Sequence, residues 1–386
     1  MRSFCCLMFI ACLFVSCQLS KETEQKKSQR QISYLQKTDT IVEEDFLNLK
    51  SYSLTASYQC DSLNLLYGYN RRASALDCIN LNTHKTTLVP LAKEGPNAIM
   101  GRPGAIFVHT PDSIWISDSA QRIVLVDSTG KIINSFTPNQ LLKEKEELLL
   151  GSNYAISIAR LFYDKEKQIL LYGVKDYSNG KKKFKVREFS VQQGVILTEY
   201  PLKQSEQVAD LGAGKYGNME EPNVTFSETY VLYNYPVESN IYLIDRKTGE
   251  YKCVEAPSAY VKNVASPCIS PKDYATWERH EVENTHFHDV VYLPSVKVYA
   301  RLHISDGVFD VSKSLGDMLA ARTLYLTLMD EDFLLIEERK LPMNRYNYFT
   351  GWCPLQDGIL LFVDNSSSKA PQIENLVFDV LQIKDN

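Results

Sequence analysis

Two closely spaced histidines, His286 and His288, form the strongest candidate metal-ligand pattern in the sequence. On a β-strand, side chains two positions apart face the same side, so both imidazoles would point in one direction. Other possible donors near them in the sequence are His280, Glu281, Glu283 and Asp289. A transition-metal site normally has a third ligand at a fixed spacing, which this segment lacks. We therefore favour a polar strand edge here, with a metal site as the alternative.

The segment from Gly212 to Gly217 reads GxGxxG, the pattern of loops that bind a pyrophosphate at the start of a helix. Its context does not fit that function. The preceding residues do not form a buried strand, Pro222 interrupts any following helix, and Glu220 and Glu221 would repel a phosphate. The sequence favours an inter-strand loop and predicts no cofactor.

Five basic residues follow the expected hairpin turn Ser178-Asn179-Gly180, namely Lys181, Lys182, Lys183, Lys185 and Arg187. Charges at a hairpin tip are usually solvated, and we expect the same here. Contact with a phosphate or an anionic glycan is the alternative.

Large aromatic side chains could form a sugar-stacking platform or could fill the space between packed sheets. The candidates are Trp115, Tyr235, Trp277, Tyr348 and Trp352. The packing role is favoured. The sequence contains neither a GxSxG motif nor a repeated Asp-box, so it predicts no catalytic residue and no metal site.

The amino terminus has the pattern of a lipoprotein leader. Arg2 precedes an apolar run from Phe4 to Val15, which has the length of a secretory h-region and is too short to span a bilayer. Ser16-Cys17 then resembles the end of a lipobox, so Cys17 is the predicted lipidation site. The predicted organisation is a leader over 1–16, a lipidated tether over 17–31 that cannot pack, and one folded domain over 32–386. An ordinary leader with an incidental cysteine is the alternative.

The remaining cysteines are widely spaced, at Cys60, Cys78, Cys253, Cys268 and Cys353. Single cysteines in a chain of this size are usually small buried apolar residues. Pairing of Cys60 with Cys78 stays open if their strands are neighbours.

From residue 60 onward, apolar and polar residues alternate between turn signals, which predicts an all-β domain. The turn Asp245 to Glu250 shows the expected chemistry: Asp and Thr side chains bind the turn backbone while Gly249 takes a positive φ. First strands of repeated meanders are expected near Asp61, Asp112, Gln168, Glu228, Asp289 and Gly351. Six such units predict a single six-bladed β-propeller, with a seventh blade or a two-sheet sandwich as alternatives.

A propeller must close its ring, and Ile32 to Val42 can supply a strand that pairs with Leu376 to Ile383 in the last blade. Two segments interrupt the strand pattern, Asn139 to Leu150 and Val311 to Arg322, and both are expected to be short helices on loops. Pro138 and Gly151 would begin and end the first of them.

Composition limits the function further. The 386-residue chain has 44% hydrophobic residues, which excludes intrinsic disorder, and 42 basic against 47 acidic side chains give a formal charge of -5. Without an excess of positive charge, a nucleic-acid partner is not expected.

Several segments are similar to one known family: Glu94 to Ile99 with Pro111 to Trp115, Tyr233 to Tyr235 with Asn240 to Tyr242, and Val290 to Tyr292 with Val298 to Arg301. The chain resembles lipoproteins of Bacteroidota that carry a domain of unknown function with a six-bladed, TolB-like propeller. The resemblance implies that fold and a location in the cell envelope, at the outer membrane, facing either the periplasm or the surface. It implies no active site.

Two functions from different classes follow from these observations. The favoured one is a monomeric, membrane-anchored binding or scaffold module for a glycan, a peptide or an envelope protein. The alternative is a hydrolase of carbohydrates or esters, with or without a metal, with carboxylates gathered at the propeller funnel.

Overall fold

The computed structural model describes residues 26–42, 51–150, 160–178, 180–211, 214–270, 273–346, 352–364 and 375–386. In these residues, antiparallel strands form six sheets that surround a central channel, whose lining residues come from all six sheets. The prediction of a six-bladed β-propeller is confirmed.

The strands follow the blades in chain order, after the first strand, β1, which spans Ile32–Ile41. In blade 1, β2 to β5 span Thr55–Cys60, Leu63–Asn70, Ala75–Asn80 and Thr86–Pro90. In blade 2, β6 to β9 span Pro103–Thr110, Ser113–Asp118, Ile123–Val126 and Ile132–Phe136. In blade 3, β10 to β14 span Glu146–Leu148, Phe162–Asp164, Ile169–Asp176, Lys183–Ser190 and Val195–Pro201.

The second half of the ring is built in the same way. In blade 4, β15 to β18 span Asn223–Phe226, Tyr230–Asn234, Ile241–Asp245 and Tyr251–Val254. In blade 5, β19 to β22 span His286–Leu293, Val298–Ile304, Leu324–Met329 and Leu335–Lys340. In blade 6, β23 to β25 span Trp352–Pro354, Gly358–Phe362 and Leu376–Asp385, and β1 is the outer strand.

The middle strands of the blades are buried on both sides because each blade packs between two neighbours. All residues of β20, β21 and β24 are buried, whereas the outer strands β5 and β14 alternate between covered and exposed positions. The core therefore lies between the blades rather than in one central layer.

The ring closes through its two ends, as predicted. β1 pairs antiparallel with β25 from Ile32 opposite Asp385 to Ile41 opposite Leu376. This pairing leaves β25 without a free edge. A buried carboxylate, Asp379, strengthens the closure by accepting a 2.7 Å hydrogen bond from Thr38 Oγ1 of β1.

The two faces of the ring differ strongly. On one, the turn face, the connections inside the blades are at most five residues long, as in 127–131 and 246–250. On the other, the loop face, lie the long connections, including 91–102, 202–222, 255–285 and 305–323. Binding residues of a scaffold are usually carried on such long loops, so the loop face is the first place to examine.

In most blades, the residue predicted to begin the first strand lies just before the second strand instead. Asp61, Asp112, Gln168 and Glu228 lie in turns that precede the second strand, and Asp289 lies inside β19, while Gly351 falls outside the described residues. Some first strands are too short to show a clear alternation in the sequence. β11 and β23, for example, have only three residues each.

The first predicted helix is mostly wrong. Only α1, Pro138–Leu141, is helical, and the chain then forms β10, where Leu148 pairs with Val174 and becomes buried. Tertiary pairing thus overrides the local helical pattern. Pro138 begins the helix as expected, and Gly151 lies outside the described residues.

The second predicted helix is present but shorter than expected, as α4 (Leu315–Ala320). Three other elements were not predicted: α2 (Glu206–Leu211), α3 (Tyr274–Glu283) and a 3₁₀ turn (Gly217–Glu220). Side chains of Asp273 and Ser314 cap α3 and α4 by accepting hydrogen bonds from backbone amides. Among the described residues, no helix is long and apolar enough to cross a bilayer.

The end of the predicted tether packs against the domain, contrary to expectation. The Ser28 amide donates a 2.8 Å hydrogen bond to the Leu335 carbonyl, and the Leu335 amide donates to Lys26 at 2.9 Å. Arg30 forms a 2.6 Å ion pair with Asp385.

The cysteine prediction is confirmed in part. Cys78, Cys268 and Cys353 are buried, whereas Cys60 and Cys253 are exposed. All five are free thiols, so Cys60 and Cys78 do not pair.

Candidate binding surface on the loop face

An ion pair with a fully buried carboxylate lies in the central channel. Arg160 Nε lies 2.7 Å from Asp289 Oδ2, and Trp352 Nε1 donates a 2.9 Å hydrogen bond to Asp289 Oδ1. Next to it lies a cavity of about 160 Å³ with aromatic walls, in which the rings of Phe107 and Phe162 are 5.4 Å apart. The described residues that line this cavity include no carboxylate. They therefore do not assemble the pair of acids that the hydrolase alternative needs.

The candidate metal ligands come from two consecutive elements, α3 and β19. His286 and His288 lie on β19, but a bulge between Phe287 and Val290 interrupts the regular alternation there. Burial lowers the pKa of His286 well below its usual range, and the charge of Arg322 adds to this effect. The imidazole of His286 is therefore neutral at physiological pH.

The other candidate donors have different positions. Glu281 and Glu283 lie on α3, where His280 Nε2 is 2.7 Å from the Ser266 carbonyl oxygen, and Asp289 belongs to the channel. In the part of the chain that the structure describes, no group of three His, Cys, Asp or Glu residues is placed to hold a metal ion.

The glycine-rich loop already holds a carboxylate. Glu220 Oε1 accepts hydrogen bonds from the amides of Gly214 at 2.6 Å and Tyr216 at 3.0 Å. These amides are the groups that a phosphate would need, so the interpretation as an inter-strand loop agrees with the geometry. Gly212 and Ala213 lie outside the described residues.

The predicted basic tip is only partly solvated. Lys181 and Lys183 are exposed, but Arg187 is buried against Glu146 at 2.7 Å and Glu199 at 3.0 Å. Lys185 pairs with Asp176 at 2.7 Å, and Lys182 pairs with Glu221 at 3.1 Å. Most of this charge is neutralised inside blade 3 and between blades, so the tip offers little to an external anion.

The described aromatic candidates mostly fill the packing role that the sequence favours over a sugar-stacking platform. Trp115, Tyr235 and Trp352 are buried between blades or in the channel, which confirms the packing interpretation for them. Trp277 is half-buried on α3, and Tyr348 lies outside the described residues.

A cleft on the loop face of blade 5, the α3 cleft, was not found from the sequence. It encloses about 370 Å³ between α3 and the connections on either side of it. Its polar lining includes the Lys262–Asp306 ion pair, at 3.1 Å, and His280. Four strongly exposed apolar side chains lie on the same connections: Ile269, Tyr274, Val308 and Val311. A mixed lining of this kind can hold a peptide or a small polar ligand.

The α3 cleft is held in shape by Arg322, a buried residue at the end of the α4 connection. Its Nε donates a 2.7 Å hydrogen bond to the Ser305 carbonyl, and its Nη1 donates a 2.9 Å hydrogen bond to the backbone carbonyl of Glu281. Asn284 adds a bond to the His280 carbonyl at 2.8 Å. These contacts join two connections that are far apart in sequence. The only sequence signal for the cleft is the long interval 255–285 without strand alternation.

Comparison with known proteins places this architecture among related folds. The family described as "Domain of unknown function (DUF4221)" matches residues 31–340. A crystal structure of a member of that family from Bacteroides vulgatus is 16% identical, has a TM-score of 0.71, and aligns over 93% of this chain and 100% of the other. A Bacteroides fragilis protein called "Putative exported protein" is 10% identical, has a TM-score of 0.54, and aligns over 93% and 98%. No curated protein matches the sequence.

Proposed function

The chain belongs to the DUF4221 family, and we propose that it is a lipid-anchored binding module of the cell envelope that presents its loop face away from the membrane. The observation that carries this proposal is the route of the amino-terminal segment. That segment reaches the domain at the turn face, opposite the long loops. The lipoprotein and TolB-like character suggested by the sequence form part of the proposal.

The route can be followed residue by residue. β1 begins at Ile32 opposite Asp385, at the turn-face end of β25. Before it, Lys27 forms a bridge with Leu335, the first residue of β22 after the turn 330–334. From Lys26 back to Cys17 there are nine residues, which reach at most about 30 Å when fully extended. An acylated Cys17 would thus hold the turn face within roughly 30 Å of the bilayer.

The anchor itself rests on the order of leader, small residue and cysteine at Ser16-Cys17. Two or more acyl chains give stable attachment, because each buried methylene contributes about 0.8 kcal/mol. The name of the Bacteroides fragilis protein also favours an extracytoplasmic location.

The partner would meet the loop face, where the lining of the α3 cleft combines exposed Ile269 and Val308 with polar side chains. Exposed apolar side chains beside polar groups are typical of protein or peptide interaction sites. A peptide segment of an envelope protein fits this lining best, because it offers both backbone polar groups and apolar side chains.

Membrane fractionation tests the anchor. The Cys17→Ala variant should be recovered in the soluble fraction, and the Cys17→Ser variant should behave in the same way because both remove the thiol that is acylated. A variant that stays in the detergent-extractable fraction would contradict the anchor.

Energy transfer to a labelled lipid in proteoliposomes tests the orientation. For the turn face, the dye is attached to native Cys60 in a Cys253→Ser variant. For the loop face, it is attached to the new cysteine of Lys313→Cys in a variant that also carries Cys60→Ser and Cys253→Ser. Strands of about eight residues separate the faces by roughly 25 Å, so transfer from Cys60 should be clearly stronger. Equal transfer, or stronger transfer from position 313, would contradict the orientation.

A thermal-shift screen of peptides and oligosaccharides tests binding. A ligand at about one hundred times its Kd stabilises the folded state by about 2.7 kcal/mol. Stabilisation by a peptide that Val308→Glu abolishes would support the α3 cleft. Stabilisation that depends on divalent metal and is lost with chelator would instead favour the hydrolase.

A further inference from the structure

A second cleft on the loop face lies between blades 1 and 2 and encloses about 540 Å³. Three basic side chains line it, and they come from two segments: Arg71 from the β3–β4 turn, and Lys93 and Arg102 from near the start and at the end of the β5–β6 connection. We call it the cationic cleft. These residues are separated along the chain and form no local pattern, so the sequence alone does not reveal the cleft.

Within the described part of the chain, the charges of the cationic cleft have no ion-pair partners. Among the described residues, no carboxylate forms an ion pair with Arg71, Lys93 or Arg102, and the lining itself contains no acidic side chain. Elsewhere on the loop face the pattern is different, since Lys182 is paired with Glu221 and Lys262 with Asp306. In a chain of formal charge -5, this is a local concentration of positive charge.

The arrangement is electrostatically unfavourable without a ligand. Burial lowers the pKa of Arg102, and the nearby charge of Arg71 lowers it further. A bound anion would relieve both effects, because it would replace lost hydration and separate two like charges.

The backbone around Arg102 is held in a fixed shape. The Arg102 amide donates a 2.6 Å hydrogen bond to Ser119 Oγ, and the Ser119 amide donates a 3.1 Å bond back to the Arg102 carbonyl. Two residues earlier, the Met100 amide donates a 3.0 Å bond to buried Asp118. The cleft is therefore built in advance of binding, which lowers the entropy cost of holding a ligand.

We propose that the cationic cleft binds an anionic saccharide through its sulfate, phosphate or carboxylate group. Arg71, Lys93 and Arg102 would contact the anionic group, since guanidinium groups bind such oxyanions through paired hydrogen bonds. Half-buried Tyr69, in the same lining, offers an aromatic surface to the sugar ring. The volume falls in the range of about 300–1,000 Å³ that is usual for small-molecule sites. This inference deepens the proposed binding function by naming a ligand class, but it does not depend on the anchor or on the α3 cleft.

Calorimetry with the full chain in detergent tests the proposal. The probe is a sulfated disaccharide, and the same disaccharide without sulfate is its control. The sulfated form should bind measurably more tightly, and its affinity should fall as salt rises. Arg102→Gln should lower the affinity roughly tenfold or more, because it removes charge-assisted hydrogen bonds. Lys247→Gln removes the same charge at an exposed turn-face position and should leave the affinity unchanged.

A double variant distinguishes a specific loss of binding from a loss caused by misfolding. Arg71 and Lys93 are exposed, so Arg71→Gln/Lys93→Gln should keep the melting temperature of the parent or raise it at low salt, yet lose binding. Monosaccharides carrying a phosphate or a uronate then identify which anionic group is preferred.

Three results would overturn the proposal: equal binding of the sulfated and neutral disaccharides, equal losses in the cleft and Lys247 variants, or no binding of any anionic saccharide. Binding of anionic lipid vesicles or phosphopeptides in place of saccharides would also overturn it. These results would leave the fractionation and orientation experiments untouched, so failure here is distinguishable from failure of the anchored-module proposal.

Discussion

The guanidinium of Arg160 contacts the carboxylate of Asp289 at 2.7 Å, which joins blade 3 to blade 5 inside the channel. The other carboxylate oxygen accepts a hydrogen bond from Trp352 of blade 6. The Arg160 amide also donates to the Val224 carbonyl of blade 4 at 3.2 Å. Asp289 is fully buried, so one carboxylate and its partners connect four of the six blades.

Asp289→Asn should destabilise the domain by about 2 to 4 kcal/mol. The substitution keeps the shape of the side chain but leaves the Arg160 charge, only 19% exposed, without its counterion. Breaking a buried pair by removing one partner typically costs about 3–5 kcal/mol, and the remaining exposure of Arg160 reduces that figure. Urea denaturation measures the change in free energy of unfolding.

The matched control is Asp385→Asn at the exposed ion pair with Arg30, which should cost less than about 1 kcal/mol. A loss at Asp289 no larger than the loss at Asp385 would show that the channel pair does not hold the blades together.

Ring closure predicts a sharp difference between two truncations. Deletion of residues 18–25 removes no contact that the structure describes and should leave the melting temperature nearly unchanged. Deletion of residues 18–45 removes β1, exposes the edge of β25 and should lower the melting temperature strongly. Circular dichroism during heating gives both values. Similar melting temperatures for the two variants would refute the closure as a source of stability.

Asp379 makes the closure sensitive to acid. Burial raises the pKa of this carboxyl, but hydrogen bonds from Arg345, Tyr346 and Thr38 outweigh burial and lower it overall. A carboxyl whose folded pKa is depressed contributes stability above its unfolded pKa, about 3.9, and that contribution is lost as pH falls through the folded value. Wild-type stability should therefore decline below about pH 4.

The Asp379→Asn variant should be less stable at neutral pH and should decline less steeply in acid. Denaturation curves between pH 7 and pH 2 measure this slope. Asp332→Asn, at an exposed turn-face position, should keep the wild-type slope. An unchanged slope in the Asp379 variant would count against the assignment.

Local chemistry in the sequence predicted the hairpins well. In the turn after β17, Asp245 Oδ1 accepts hydrogen bonds from the amides of Lys247 and Thr248, both at 2.8 Å, and Gly249 has a φ of +74°. Every partner lies within five residues, so turn propensities were sufficient. The alternation of strand residues is equally local, and it led to the correct number of blades.

Features that depend on residues far apart in the chain could not be predicted from the sequence. Arg160 and Asp289 are separated by 129 positions, and the basic residues of the cationic cleft come from two separate connections. No sequence periodicity relates such residues, because they become neighbours only when the ring of blades has formed. The His286 and His288 pattern was ambiguous for a related reason: a bulge set by pairing with β20 changes the regular alternation, and the sequence of β19 alone does not show it.

Two glycines of the β5–β6 connection allow a test of how the cationic cleft is positioned. Gly101 has a φ of +75°, and an added Cβ would lie 2.6 Å from Ser119 Oγ, the atom that binds the Arg102 amide. Gly95 has a φ of +83°, but an added Cβ would meet nothing within 4 Å. Both alanine variants should lose about 1 kcal/mol from backbone strain. Only Gly101→Ala should also weaken binding of the sulfated disaccharide, since it displaces Arg102. Equal affinities of the two variants in calorimetry would contradict this.

Thiol labelling provides a check on the fold as a whole. Cys60 is exposed at the turn face, and a hydrogen bond from the Ser62 backbone lowers its pKa. Cys253 is also an exposed residue, but partial desolvation of its thiol and the nearby charge of Glu238 raise its pKa to about 11. Because the thiolate is the reacting species, Cys60 should be alkylated by iodoacetamide at pH 7.5 roughly tenfold faster than Cys253, since the lower nucleophilicity of a thiolate of lower pKa offsets part of the difference in thiolate fraction. Buried Cys78 and Cys353 should react only after denaturation. Mass spectrometry of the digested protein resolves each site, and comparable rates at Cys60 and Cys253, or fast labelling of Cys78, would show that these strands are placed differently.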